Sequence, residues 1–200
     1  PIIEIPYAKY LDCGYDMFLE MGITYWLSNG RQRDGSIIRV QGFDRGKFGG
    51  NYHTHNMISI PPGVDVVCYS NGADYVSGMR YALRQALQGR IVMSYDSTDL
   101  LNRRHLGTEG DGSGQRDDIW LTNYPDKNVE LSFDDVIVYR GDWMTSQKGS
   151  IRLSPHDSSL SSSSASASPS GKLLIVSYGN GLPNCLQAMN RLISSGKISS

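Results

Sequence analysis

"VDVVCYSNGADYVSGMRYALRQALQGRIVMSYD", residues 64–96, sets two short apolar runs on either side of one amphipathic stretch. "VDVVCYS" (64–70) and "RIVMSYD" (90–96) are rich in branched and aromatic side chains and read as strands. Between them Val76, Met79, Leu83 and Leu87 recur at three- and four-residue steps, the spacing of a helical stripe. Ser70 or Asn71 can cap that helix, Asp74 suits the positive end of its dipole, and Gly89 can end it.

Upstream the same alternation repeats. "PIIEI" (1–5) has the branched apolar residues of a short buried strand, and Tyr15, Phe18, Leu19, Gly22 and Trp26 then make an apolar helical stripe. "SNG" (28–30) stops that helix, with Gly30 free to adopt the left-handed conformation, and "SIIRV" (36–40) is a further strand. Short apolar strands alternating with helices predict an α/β fold: a doubly wound parallel sheet covered on both faces. In such sheets ligands sit at the carboxyl ends of the strands, where the loop after Val40 would emerge.

Downstream, periodicity fades near Leu100, and "GTEGDGSGQRDD" (107–118) is polar and glycine-rich, an exposed loop. An edge strand is expected at 136–140, and the serine tract 158–171 is too poor in apolar groups to offset the entropy of ordering it. Order restarts with a strand at 173–178 and a helix entered at Pro183, striped by Cys185, Met189, Leu192 and Ile193 before Gly196. The expected organisation is therefore a first domain over 1–106, a linker over 107–171, and the start of a second α/β domain over 172–200. A chain that opens on a strand without methionine, and stops inside a second domain, reads as part of a longer polypeptide.

Composition narrows the partners. Nineteen basic residues against twenty acidic ones leave a net charge of -1, so nothing argues for nucleic acid or an anionic membrane. No run approaches the roughly 18 apolar residues of a membrane span. Cys13, Cys68 and Cys185 are odd in number and widely spaced, which disfavours a disulfide framework or zinc knuckle and suits a reducing compartment.

Few residues in this chain invite chemistry. His53 and His55 stand in "GGNYHTHN" (49–56), a loop at a strand-end crevice, and imidazole exchanges protons readily near neutral pH. His-x-His lacks the third and fourth ligands of a zinc site, so no metal is assigned to it. Arg39 interrupts an apolar strand and must reach a carboxylate, a carbonyl or a ligand, because an unpaired buried charge is costly. "GFDRGKFGG" (42–50) imitates a phosphate-binding loop but lacks the Gly-Lys-Ser/Thr ending and a following helix, and "GDG" (110–112) has no buried strand before it, with Asn123 and Asn128 following too soon. No Gly-x-Ser-x-Gly elbow supports hydrolysis.

Taken in order, "PIIEI" followed by Tyr10, the helix from near Asp16, "IIRVQG" (37–42), "GGNYHTHN", "PPGVDVVCYSNGADYVSGMRYAL" (61–83) and "LLIVSYGNGLPNCLQAM" (173–189) resemble one family. It is the thiamine-diphosphate-dependent 2-oxo acid dehydrogenases, in the pyrimidine-binding region of the beta subunit or beta-like half of their decarboxylating component. The resemblance covers roughly residues 1 to 100 and 172 to 196.

It implies a transketolase-like pyrimidine-binding domain. Thiamine diphosphate would bind between this domain and a separate diphosphate-binding domain, which holds the Mg2+ and lies in an alpha subunit or another part of one chain. A homo- or hetero-oligomer follows, with a lipoyl-bearing acyltransferase as partner and the mitochondrial matrix, or the bacterial cytoplasm, as location. Tyr10 matches the aromatic position that packs on the aminopyrimidine ring, and His53 matches the active-site histidine. Arg39, Tyr52 and His55 would support the loop and the substrate.

Three departures stand out. The family's activating glutamate would fall about twenty residues before Pro1, and Glu4 is a later strand acid. The serine that usually follows the loop histidine is Thr54 here, and His55 replaces a polar residue. The serine tract resembles an insertion. The alternatives are a transketolase or deoxyxylulose-phosphate synthase type of enzyme, or a non-catalytic scaffolding domain.

Overall fold

The computed structural model describes residues 1–42, 44, 59–101, 103, 123–139, 150–153 and 174–197. They divide into two compact units, Pro1–Phe133 with Tyr178–Asn180, and Asp134–Ser177 with Gly181–Ser200. Among the described residues no helix is long and apolar enough to cross a membrane.

The first unit holds a parallel sheet of four strands: β1 (Ile2–Ile5), β2 (Ser36–Gln41), β3 (Val64–Val67) and β4 (Ile91–Asp96), in the spatial order β1-β2-β4-β3. A 3₁₀ helix (Ala8–Gly14) and α1 (Tyr15–Leu27) join β1 to β2, and α2 (Gly72–Leu87) joins β3 to β4. The step from β1 to β2 and the return from β3 to β4 run in opposite directions across the sheet. Right-handed crossovers then put their helices on opposite faces. Ala8, Leu11 and Phe18 cover Ile38, Val40, Ile91 and Met93 on one face. Ala82 covers Ile37, Val67 and Val92 on the other, with Met79 and Ala86 beside it.

The central strands follow the expectation, and the edges depart from it. β2 and β4 each have two neighbours and are almost wholly buried. β1 has a single neighbour, and Ile2 is 62% exposed, so the strand expected to be buried is an exposed edge. On α1 Phe18 and Gly22 are buried as the stripe requires, whereas Trp26 lies outside the core with its indole close over Gly63. Gly63 has φ +87°, a turn conformation that any side chain would strain.

α2 is capped as read: the Asp74 N–H donates to Asn71 Oδ1 at 2.9 Å, and Gly89 takes φ +102° just past the helix end. Its buried face is rotated away from the apolar stripe. Ser77, Gly78 and Ala82 are buried, while Leu83 and Leu87 are exposed. The reason is steric: a Cβ at Gly78 would lie 2.1 Å from the Tyr69 ring, so small residues let the helix sit close over that ring.

Residues 123–133 return across the outer side of α2. Arg80 Nη1 donates to the carbonyls of Asp126 (2.5 Å) and Val129 (3.2 Å), and Nη2 to that of Pro125 (3.3 Å). The Leu131 N–H donates to the Ser77 carbonyl at 3.2 Å, and the Tyr81 and Phe133 rings meet edge to face at 4.8 Å.

The second unit contains α4 (Gly181–Ser194) and an antiparallel pair, β5 (Val136–Tyr139) with β6 (Ser150–Leu153). The segment expected to be a linker thus contains a hairpin, whose first strand was legible as 136–140 and whose second was not. The strand expected at 173–178 is not formed over Leu174–Tyr178. α4 begins next to Pro183 as expected and ends at Gly196, where φ is +69° and the Lys197 N–H donates back to the Leu192 carbonyl. The loop at 107–118 and the serine tract at 158–171 lie outside the described residues.

Candidate functional site at the carboxyl ends of the strands

The parallel register places Glu4, Arg39 and Ser94 side by side on β1, β2 and β4. Two residues further along β4, Asp96 is buried with its side chain 3% exposed. Arg39 answers it with Nη2 at 2.9 Å and Nε at 3.2 Å, both to Oδ2. Ser94 Oγ donates to Oδ1 at 2.6 Å, and the Tyr75 hydroxyl, from the first turn of α2, donates to Oδ2 at 3.3 Å. Arg39 Nη1 reaches back to Glu4 Oε2 at 3.4 Å. The charge that interrupts an apolar strand is thus resolved as an internal ion pair, with Asp96 the buried partner and Glu4 the exposed one.

Burial pulls the Arg39 guanidinium down, but its hydrogen bond to Asp96 and the negative groups around it carry it upward on balance. Burial and the nearby Asp96 charge raise the Tyr75 phenol. Desolvation, reinforced by Asp96 and Asp44, pushes the Cys68 thiol up to about 12. These groups hold their protons at neutral pH and serve as donors or neutral surface.

A cleft of about 430 Å3 opens beside this network, between the N-terminus of α2 and the exit of β4, lined by Arg39, Tyr69, Asn71, Tyr75, Asp96 and Arg103 among others. That volume falls within the usual range of small-molecule pockets. Among the described residues the buried Tyr69 hydroxyl has no hydrogen-bond partner, and burial raises its phenol. Arg103 Nη2 is engaged by Asp99 at 2.6 Å.

On the far side of β4's exit, buried Asp44 joins two loops. Its Oδ1 accepts from the Thr98 N–H at 2.8 Å, and its Oδ2 from the Asp99 N–H at 3.3 Å and from the Ser97 hydroxyl. These bonds close the start of α3 (Thr98–Leu101).

The sequence-assigned residues divide between what is described and what is not. Tyr10 stands on the 3₁₀ helix after β1, 45% exposed, its ring edge-on to Tyr7 at 5.5 Å. Arg39 lines the cleft and belongs to the Asp96 network. Tyr52, His53, His55 and the rest of 45–58 lie outside the described residues.

Sequence reading missed Asp96, Tyr75, Asn71 as a cleft residue, and Asp44. For Asp96 a signal existed, an acid closing a buried strand opposite an arginine in its neighbour. For Asp44, within a glycine-rich run, none did. Among the described residues no group of three or more His, Cys, Asp or Glu side chains is placed to hold a metal ion.

No family model matches the chain, and no curated protein matches it.

Proposed function

We propose that this chain supplies the pyrimidine-binding part of a thiamine-diphosphate-dependent 2-oxo acid dehydrogenase, the component that decarboxylates a 2-oxo acid and passes the acyl group to lipoamide. The observation that carries this is where β2 ends. β2 ends at Gln41 on the carboxyl side of a parallel sheet with helices on both faces, and the connection onward to Val64 contains His53. Ligands of such sheets gather on that side.

When bound, thiamine diphosphate supplies the carbanion chemistry, and the protein orients and polarises it. Tyr10, with part of its ring open, suits stacking on a planar heterocycle. His53 serves as the proton-handling group toward substrate and lipoamide. Arg39 holds Asp96 and so ties β2 to β4 in the middle of the sheet. The transketolase-like form of the domain, the diphosphate-binding partner with its Mg2+, the lipoyl acyltransferase and a mitochondrial or bacterial cytoplasmic location belong to the same proposal.

The test is made on the full-length gene product assembled with its partner chain. Thiamine diphosphate binding is measured by calorimetry, and turnover is followed with pyruvate, branched-chain 2-oxo acids and 2-oxoglutarate. Cofactor-dependent decarboxylation of one of these is expected. Ketol transfer between sugar phosphates would favour the transketolase class, and absence of binding would favour a scaffold. His53→Ala is expected to slow acyl transfer by about 100-fold or more while leaving the melting temperature in place. Parallel losses in both would remove the catalytic assignment.

A further inference from the structure

We propose that the cleft beside the start of α2 binds a small organic monocarboxylate with a flat apolar body. This site stands apart from the cofactor surface proposed above, since Tyr10 takes no part in lining it.

Arg39 and Arg103 both line the cleft. Arg39 gives three hydrogen bonds, two to Asp96 and a long one to Glu4, and the Arg103 side chain gives one, to Asp99. A guanidinium carries more N–H groups than either spends, and among the described residues the remainder meet no acceptor. The Tyr69 hydroxyl, buried and likewise without a partner among the described residues, adds a donor still unspent. A carboxylate is the group whose two oxygens match an arginine fork.

The surrounding charge decides between anions. Each arginine is already paired with one aspartate, Asp96 at 2.9 Å and Asp99 at 2.6 Å, so the lining offers donors with little net positive charge. A phosphate dianion would be repelled by those two carboxylates more strongly than a monoanion that uses the same donors. Affinity must then come from apolar contact, and the walls provide it. Val76 and Leu100 line the cleft beside Tyr69 and Tyr75, whose rings meet edge to face at 5.7 Å. Leu101 and Tyr124 border it 42% and 61% exposed, apolar surface that a bound body would cover. The volume of about 430 Å3 admits one ring with a short acidic arm.

Phenylacetate is the probe, added to the full-length gene product assembled with its partner chain. Calorimetry should show saturable binding with a Kd of about 1 mM or tighter. Acetate, which lacks the ring, and 2-phenylethanol, which lacks the charge, should each bind at least tenfold more weakly. Bound phenylacetate should slow hydrogen exchange at the Tyr75 and Leu101 amides at least threefold, with Val92 in the sheet unchanged. Arg103→Gln should weaken phenylacetate at least tenfold and Tyr124→Ala at least threefold. Both side chains reach solvent, so the melting temperature should hold in each variant.

Absence of phenylacetate binding would overturn the proposal. Binding that either variant leaves unchanged would do the same, because the probe would then sit elsewhere. Equal affinity for 2-phenylethanol would remove the carboxylate from the assignment, and equal affinity for inorganic phosphate would remove the apolar body. Displacement of the probe by saturating thiamine diphosphate would assign it to the cofactor surface and end the case for a separate site. A wild-type assembly with no thiamine-dependent turnover would sink the function proposed above and leave each of these outcomes as decisive as before.

Discussion

At position 39 a guanidinium sits in the middle of a sheet, and its cost depends on which carboxylate answers it. Asp96 is 3% exposed and takes two of its donors, whereas Glu4 is 53% exposed and takes one long contact. Among the described residues, removing the cation leaves the buried Asp96 carboxylate with Ser94 and Tyr75. Arg39→Met should therefore cost about 3 kcal/mol in urea unfolding, the low end for a broken buried pair because Arg39 is itself 23% exposed. Glu4→Ala should cost under about 1 kcal/mol, as a surface pair does. Comparable losses from the two would show that Asp96 is not the controlling partner.

Cys68 gives the residue scale a pH dependence. Its raised thiol disfavours the thiolate in the folded protein, so its contribution is intact below the unfolded value of 9.0 and is lost as pH rises from there toward about 12. At pH 8 a thiol reagent should label the exposed Cys13 quickly and the partly buried Cys68, with its raised thiol, much more slowly, read by peptide mapping. Equal labelling rates would contradict the burial assigned to Cys68. Arg39 was legible because a charge inside "SIIRV" demands an explanation. Asp96 was missed although that arginine, 57 residues away in sequence, called for it, and Asp44 gave no signal, since an acid near a turn is ordinary chemistry and its partners lie more than fifty residues away.

The elements themselves were largely written in the chain: β2, β4, α1 and α2 follow the periodic pattern closely. The faces were harder to read. An apolar stripe predicts which side of α2 is buried only if bulk decides, and here Tyr69 claims the space, so glycine and alanine turn inward and Leu83 and Leu87 turn out. Gly78→Ala tests this. Helix propensity alone favours alanine by about 1 kcal/mol. Its Cβ would sit 2.1 Å from Tyr69, so a net loss of about 1–3 kcal/mol is expected. Leu87→Gln, at an 80% exposed site, should stay within about 0.5 kcal/mol of the parent in the same denaturant series. β1 was misjudged for a related reason, because branched residues suit an edge strand as well as a buried one, and only the number of neighbours distinguishes them.

For the molecule as a whole, both hydrophobic clusters of the parallel sheet draw on residues no later than Phe133. A chain ending there should keep a single cooperative unfolding transition, whereas one ending at Leu101 loses Phe133 and the hydrogen bonds to Arg80 and Ser77. The shorter form should unfold at clearly lower denaturant, or fail to fold, as seen by circular dichroism, and indistinguishable midpoints would mean that the returning segment adds nothing. No periodic signal announced that segment. Its attachment to Arg80 runs through carbonyl groups, which every residue possesses.

This last point bears on how the protein tolerates change. Arg80 reads a path and not a set of letters: the carbonyls of Pro125, Asp126 and Val129 would be offered by almost any pentapeptide following the same course. Drift at 126–129 should thus be nearly silent, while replacement of the one guanidinium by lysine, whose compact ammonium cannot span three acceptors, should not be. The chemical specificity of the contact is concentrated at a single codon, and the stretch it grips is left to vary.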